Sequence, residues 1–332
     1  AAAGMAAGFL LASGRGTTWL KRPKRGEQPL LERLTPESLQ HRQWMQRMEA
    51  FIFDIDGVIH VAGTPVPGAP EALAALEKAG KRVMFMTNNA TVTPESVVER
   101  FRSFGAVARP EQVMTSAIAA AAFLNSRRLE GQLVYVIGMD SLVDELSSRA
   151  GVRAFGASED GGKTKEDAFR EFKLAMVPPP EEVAAVVVGA DYLFNYYKLA
   201  RAANYLRQNP NCLFVATNPD PRVSLGDHAI VPAAGSLLQA VATACGREPT
   251  IVCGKPSRGL ALQLLESEGF TAASTCMVGD RTDTDIEFGR SVGMETLFVE
   301  SGSMTLEEVR VVDEASQPRF VAASIATLAE LL

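Results

Sequence analysis

Residues 50–57 read Ala50-Phe51-Ile52-Phe53-Asp54-Ile55-Asp56-Gly57. Four apolar residues in a row, bounded by turn residues, fit a short buried strand. Two carboxylates then leave that strand two residues apart, and Gly57 lets the chain turn tightly. Open α/β sheets bind ligands at the carboxyl ends of their strands. The stretch therefore predicts both a sheet and an acidic site at its edge. Alone, an Asp-x-Asp-Gly is equally well a pair of strand-end turn acids.

Outward from this strand, apolar runs alternate with helical patterns. Ala69–Ala79 reads as a helix, Arg82–Met86 as a second strand, and 94–104 and 115–127 as helices. The pattern resumes late, with a strand over Pro249–Cys253, a helix over Arg258–Glu268, a strand over Thr275–Val278, a helix over Asp285–Ser291 and a strand over Glu295–Val299. Such alternation predicts βαβ units and a parallel sheet, an α/β fold with a Rossmann-like core.

The middle of the chain carries a cycle of its own. Leu133–Ile137, Val183–Val188 and Cys212–Ala216 read as strands, and Ser141–Arg149 and Tyr196–Arg207 as helices. That is enough to bury a separate core, so 130–248 is expected to be an inserted α/β domain, with core segments 50–129 and 249–332 around it. Residues 1–49 are expected to form an arm whose end is helical. There Thr35 suits the N-cap, Pro36 the first helical position and Glu37 the first turn.

Bulk properties narrow the class. A chain of 332 residues suggests two domains. With 47% hydrophobic and 22% charged residues and a net charge of −6, it is ordinary globular material with no basic face for nucleic acid. Four well-separated cysteines without a CxxC pair read as reduced core residues, against a disulfide scaffold or a zinc site. No apolar run reaches the ~18 residues of a membrane span. Before Glu27 there is no acid, while Arg15, Lys21, Arg22, Lys24 and Arg25 are basic. That bias matches an organelle targeting region, mitochondrial or chloroplast. The other reading is a plain basic tail on a cytoplasmic protein.

Three more motifs follow predicted strands. Thr87-Asn88-Asn89 offers a hydroxyl, two amides and turn N–H groups to phosphate oxygens. Gly254-Lys255-Pro256 presents an ammonium that can hold a phosphoryl group and offset carboxylates. Gly279-Asp280-Arg281-Thr282-Asp283-Thr284-Asp285 crowds hard oxygen ligands at a strand end, as Mg²⁺ prefers. Each has a bland counterpart: a polar turn, a solvated lysine, acids facing a helix dipole. Four such motifs in order, each behind its own strand, make the bland explanation poor. His41, His60 and His228 are read as structural or solvent-facing.

Taken together, Asp54-Ile55-Asp56-Gly57, Thr87-Asn88-Asn89, Lys255 and Gly279-Asp280 with Asp285 resemble the four motifs of the haloacid dehalogenase (HAD) superfamily. The insert between the second and third motifs resembles the subclass with a large α/β cap. Val187-Val188-Gly189-Ala190-Asp191, Phe214-Val215-Ala216-Thr217-Asn218 and Gly254-Lys255-Pro256 are similar to the branch of phosphoglycolate, 4-nitrophenyl phosphate and pyridoxal phosphate phosphatases.

The resemblance implies a Mg²⁺-dependent phosphatase acting on a small phosphorylated metabolite. Asp54 would be nucleophile and metal ligand. Asp56 would be general acid and base and lend its backbone carbonyl to the metal. Thr87, Asn88, Asn89 and Lys255 would bind the phosphoryl group. Asp280 would complete the metal ligands and Asp285 would support them. Asp220-Pro221-Arg222-Val223-Ser224-Leu225 resembles the branch's specificity loop. Aliphatic Val223, where pyridoxal phosphate phosphatases carry histidine, looks more like the phosphoglycolate type. Pro232-Ala233-Ala234-Gly235 departs from the usual pattern by losing one glycine, which bears on the hinge to the cap. The stretch 156–182 looks long and offers a separate contact surface. Two partner expectations stand: a homodimer through the cap, and a larger organelle assembly reached through residues 1–49. In the latter the chain would serve as a phosphatase-like accessory subunit.

Overall fold

A computed structural model describes residues 31–174, 176–224 and 229–332. The basic stretch before residue 31, Leu225 and His228 lie outside them. The chain forms two compact units.

One unit holds described residues 31–87, 94–114 and 255–332. Its seven-stranded sheet runs Glu32–Arg33, Phe320–Ala322, Glu295–Val299, Thr275–Gly279, Ala50–Asp54, Arg82–Thr87, Val113–Thr115. The expected strand Ala50–Asp54 lies near its centre and is buried at every residue. Both its neighbours pair with it in parallel, Phe53 facing Val278 on one side and Phe85 on the other. From that strand the chain first builds to one side and later returns on the other. At such a reversal, the carboxyl ends of the strands are where open α/β sheets bind ligands.

Residues 31–49 are not a separate arm. Glu32–Arg33 pairs with Phe320–Val321 at the sheet edge. The helix Leu39–Arg47 buries Trp44 against the rings of Phe51 and Phe320. It starts at Ser38, whose side chain accepts from the His41 N–H, rather than at Thr35. Thr35 is otherwise engaged: its N–H donates to His41 Nδ1 at 3.0 Å. His41 is therefore structural, with Nε2 also 2.8 Å from Glu32 Oε1.

The other unit holds described residues 88–93, 115–174, 176–224 and 229–254. Its five strands run Ile251–Val252, Leu213–Ala216, Val183–Val188, Leu133–Ile137, Arg153–Gly156, all parallel. The limits differ from the expected 130 and 248. The helix Ser116–Ser126, buried on nearly every face, belongs to this unit. So does the strand at 251–252, because its backbone partners are Val215 and Ala216 rather than any core strand. The missing glycine at Ala233 is harmless locally, since Ala233 takes an ordinary extended conformation. The retained Gly235 is required, since a Cβ there would lie 2.2 Å from Pro219 O.

Buried charge fastens the stretch 156–182. Arg201, on the helix Tyr196–Gln208, donates to Asp160 at 3.1 Å and to Val177 O, and lies among the rings of Tyr135, Phe155, Tyr197 and Tyr205. One turn earlier, Lys198 and Asp191 form a fully buried ion pair at 2.6 Å. Removing one partner strands the other charge in an apolar surround. Lys198→Met should therefore cost about 3–5 kcal/mol of stability in urea unfolding. A loss below about 1 kcal/mol would show that the pair is not held as described.

Candidate active site

Four of the expected residues meet at the carboxyl edge of the seven-stranded sheet. Asp54 is the last residue of its strand. Lys255 Nζ donates to Asp54 Oδ1 at 2.5 Å and to Met86 O at 3.1 Å, and stands 2.7 Å from Asp285 Oδ1. Asp280 directly follows the strand Thr275–Gly279. One carboxylate oxygen from each of Asp54, Asp280 and Asp285 lies within 4.8 Å of the others, and all three residues are buried. Thr87, also buried, ends the neighbouring strand one residue past Met86, the partner of Asp54.

Close backbone approach sets this geometry. A Cβ on Gly279 would fall 2.2 Å from that of Asp285, so the strand must end in glycine for Asp285 to tuck beneath it. Asp285 Oδ2 in turn accepts from the Arg281 N–H at 3.1 Å. Asp280 is held by residues outside the four motifs. Ser303 donates to its Oδ2 from N–H at 2.6 Å and from Oγ at 2.8 Å. Gly302 allows that approach, as a Cβ there would lie 2.2 Å from the same oxygen. Ser301 Oγ donates to Gly57 O at 2.7 Å. The available signal was position: Ser301-Gly302-Ser303 follows closely on the strand Glu295–Val299, as the four recognised motifs follow theirs.

The electrostatics are those of an over-acidic cage. Burial pushes the Asp54 carboxyl well up; Lys255 pulls it down, and Asp285, Asp280 and Asp56 push it up again. Burial and then Asp285 raise Asp280 to about 6, against the two Ser303 hydrogen bonds and Lys255. Burial disfavours the Lys255 ammonium, but Asp285 and Asp54 more than offset it and hold it above its ordinary value. Three buried carboxylates thus share one ammonium. A divalent cation that prefers hard oxygen would supply the missing positive charge, and the donor set fits one.

Asp56 is different: its side chain is 61% exposed. Its neighbour is His60, which is buried rather than solvent-facing, with Nδ1 3.7 Å from Asp56 Oδ1. Burial holds the His60 imidazole below its ordinary value, with Asp56 working against it and Arg100 with it.

Asn88 and Asn89 fall in the other unit. Asn88 O accepts from Ser116 Oγ at 2.6 Å and from Asn218 Nδ2 at 2.7 Å, and Asn88 Nδ2 donates to Asp220 Oδ2 at 2.9 Å. Asn89 Oδ1 accepts from Thr91 N–H and Oγ1. These amides shape their own turn and the foot of the hairpin Arg222–Ser224/Ile230–Pro232.

Residues 51–152 match the model of haloacid dehalogenase-like hydrolases, and residues 252–328 match a HAD-hydrolase-like model. The chain is 37% identical over 287 residues to phosphoglycolate phosphatase 1A, chloroplastic, of Arabidopsis thaliana, covering 85% of this chain and 77% of that one. It is 38% identical over 280 residues to glycerol-3-phosphate phosphatase of Gallus gallus, covering 83% and 87%. Among solved structures, a glycerol phosphate phosphatase from Mycobacterium tuberculosis in complex with magnesium superposes with a TM-score of 0.71 at 28% identity, covering 86% and 77%.

The charge balance has a direct test. Lys255→Met leaves the three carboxylates without their ammonium. In chelator, this variant should lose about 3–5 kcal/mol of stability relative to wild type. A saturating divalent cation should recover part of that loss by binding the folded form. Equal stability of the two proteins in chelator would show that the cage is not ionised.

Proposed function

The chain belongs to the haloacid dehalogenase-like hydrolases and is a phosphatase of that family, and from this premise we propose that it hydrolyses a small phosphorylated metabolite, phosphoglycolate foremost, with Mg²⁺ and Asp54 as nucleophile. The observation that carries the proposal is the Asp54 carboxylate at the strand end, oriented by Lys255 and faced by Asp280 and Asp285.

Asp54 and Asp280 would hold the metal through their carboxylates, with Asp56 adding its backbone carbonyl and Asp285 steadying Lys255 from behind. Mg²⁺ bound there offsets the repulsion between an anionic nucleophile and an anionic phosphate. An Asp54 oxygen attacks phosphorus as the bond to the leaving oxygen breaks. Asp56 gives its proton to that oxygen and is left as a carboxylate. It then takes a proton from the water that displaces Asp54 and releases phosphate. Lys255 and Thr87 donate to the transferring phosphoryl oxygens. The transition state is loose, so positioning and charge do most of the work. Burial of Asp54 and exposure of Asp56 suit these two tasks: one acid is shielded for attack, the other is open to leaving group and water.

The substrate choice is supported by aliphatic Val223, 51% exposed on the hairpin Arg222–Ser224/Ile230–Pro232, where pyridoxal phosphate phosphatases carry histidine. Support also comes from the relatives, named for phosphoglycolate and glycerol-3-phosphate. Phosphate release should be measured from phosphoglycolate, glycerol-3-phosphate, pyridoxal phosphate and 4-nitrophenyl phosphate, with Mg²⁺ and with chelator. The expected result is metal-dependent turnover, highest kcat/KM on phosphoglycolate, and a loss of at least roughly 10³-fold in Asp54→Asn with the fold retained. Residual activity above a tenth in that variant sinks the nucleophile assignment.

We also propose an organelle address. Its support is the acid-free, basic composition before Glu27 and the chloroplastic relative. Residues 1–49 fused to a fluorescent protein should enter chloroplasts or mitochondria of a plant cell. Diffuse cytosolic signal would overturn this.

A further inference from the structure

His60 opens the short hairpin behind the first acid pair, where it pairs with Pro65 while Val61 pairs with Thr64. It is 3% exposed. Its ring meets the Phe104 ring in a T-shaped contact, centroids 6.4 Å apart. Its backbone serves the turn: the N–H donates to Ile55 O at 3.3 Å, and the carbonyl accepts from Gly57 N–H at 2.7 Å.

The side chain is the anomaly. Nδ1 is buried and has no hydrogen-bond partner. Leaving a buried polar atom unpaired costs on the order of 1–3 kcal/mol. For packing on Phe104 alone, a phenyl ring would serve without that cost. The charged group in reach is the Asp56 carboxylate, with Oδ1 3.7 Å from Nδ1. That is beyond hydrogen-bond length. Yet the histidine is fixed by its surround, whereas the Asp56 side chain is mostly in solvent and can turn toward it.

We propose that His60 is a positioning residue for Asp56. Nδ1–H donates to one oxygen of the Asp56 carboxyl group and aims the other oxygen at the leaving group. Asp56 then delivers its proton from a held geometry rather than from a freely rotating side chain. The same contact turns the carboxylate toward water in the second half-reaction. An exposed carboxylate would otherwise have to freeze its own torsions in the transition state. This inference rests on Asp56 acting as acid and base, as proposed above.

The test uses the leaving group. 4-Nitrophenolate departs with little need of a proton, whereas the alkoxide of glycerol-3-phosphate or phosphoglycolate needs one. Three variants are compared on kcat/KM. H60F keeps a ring against Phe104 and removes the donor. H60N places an amide N–H near the position of Nδ1. D56N removes the acid itself. H60F should lose about tenfold on the alkyl phosphate and stay within about twofold on 4-nitrophenyl phosphate, with H60N recovering most of the loss. The ratio of the two rates within one preparation does not depend on how much protein is folded; if H60F gives no soluble protein, H60M carries the same comparison. Equal losses on both substrates, no loss on either, or no recovery in H60N overturns the role of His60. If D56N discriminates between the substrates and H60F does not, only His60 is misassigned. If D56N treats both substrates alike, the reading of Asp56 falls, and the inference with it.

Discussion

The Lys255 ammonium stands 2.5 Å from Asp54 and 2.7 Å from Asp285, and water scarcely reaches any of the three. Charges are expensive to bury, and this grouping is tolerable only because they are arranged against one another. The arrangement is asymmetric: Asp54 ends one strand, Asp280 follows the adjacent one, Asp285 comes from the helical turn after it, and the cation comes from a loop. The remaining negative charge would favour a hard cation at the cluster, and a bound cation would in turn favour phosphate. Both steps follow from one lysine among three carboxylates.

Glycines make the arrangement possible. At 57, 279 and 302 the backbone passes so near Asp280 or Asp285 that any side chain would collide. Gly57 also adopts a φ of +90°, which favours glycine independently. The acids are thus walled in by main chain, whose N–H groups at Arg281 and Ser303 donate to them. The other unit uses buried charge differently. Arg201, Asp160, Lys198 and Asp191 neutralise one another within the fold and fasten a long excursion.

Asp54, Lys255, Asp280 and Asp285 were legible in the sequence because each follows an apolar run, and the fold gathers strand ends. Alternation of such runs with helical patterns was likewise enough for the α/β class. Ser303 was not legible: a serine after a strand is common, and only its contact with Asp280 gives it meaning. The sequence places the strand at 251–252 with the core, whereas it pairs with Val215 and Ala216, because strand pairing is a long-range choice. Nothing in Ile251-Val252 itself distinguishes the Leu213–Ala216 edge from another. The helix start moved from Thr35 to Ser38 for a similar reason. Both residues can cap, and His41 engaging Thr35 decides between them. His60 reads from the sequence as structural or solvent-facing; its burial and its unpartnered nitrogen are visible only in three dimensions.

The sheet order also has a consequence for synthesis. The hydrogen bond from Lys255 to Asp54 spans 201 residues, and that from Ser301 to Gly57 spans 244. The buried strand Ala50–Asp54 leaves the ribosome early, yet one of its two sheet partners, Thr275–Gly279, is among the last strands made. Until then one long side of this buried strand has no neighbour, while the inserted unit has all of its own strands and can close. A nascent chain in this state carries a sticky open edge, the kind that chaperones bind and that aggregates when they do not. The acidic cluster is therefore completed late in synthesis, and fragments ending before residue 303 lack the serine that holds Asp280.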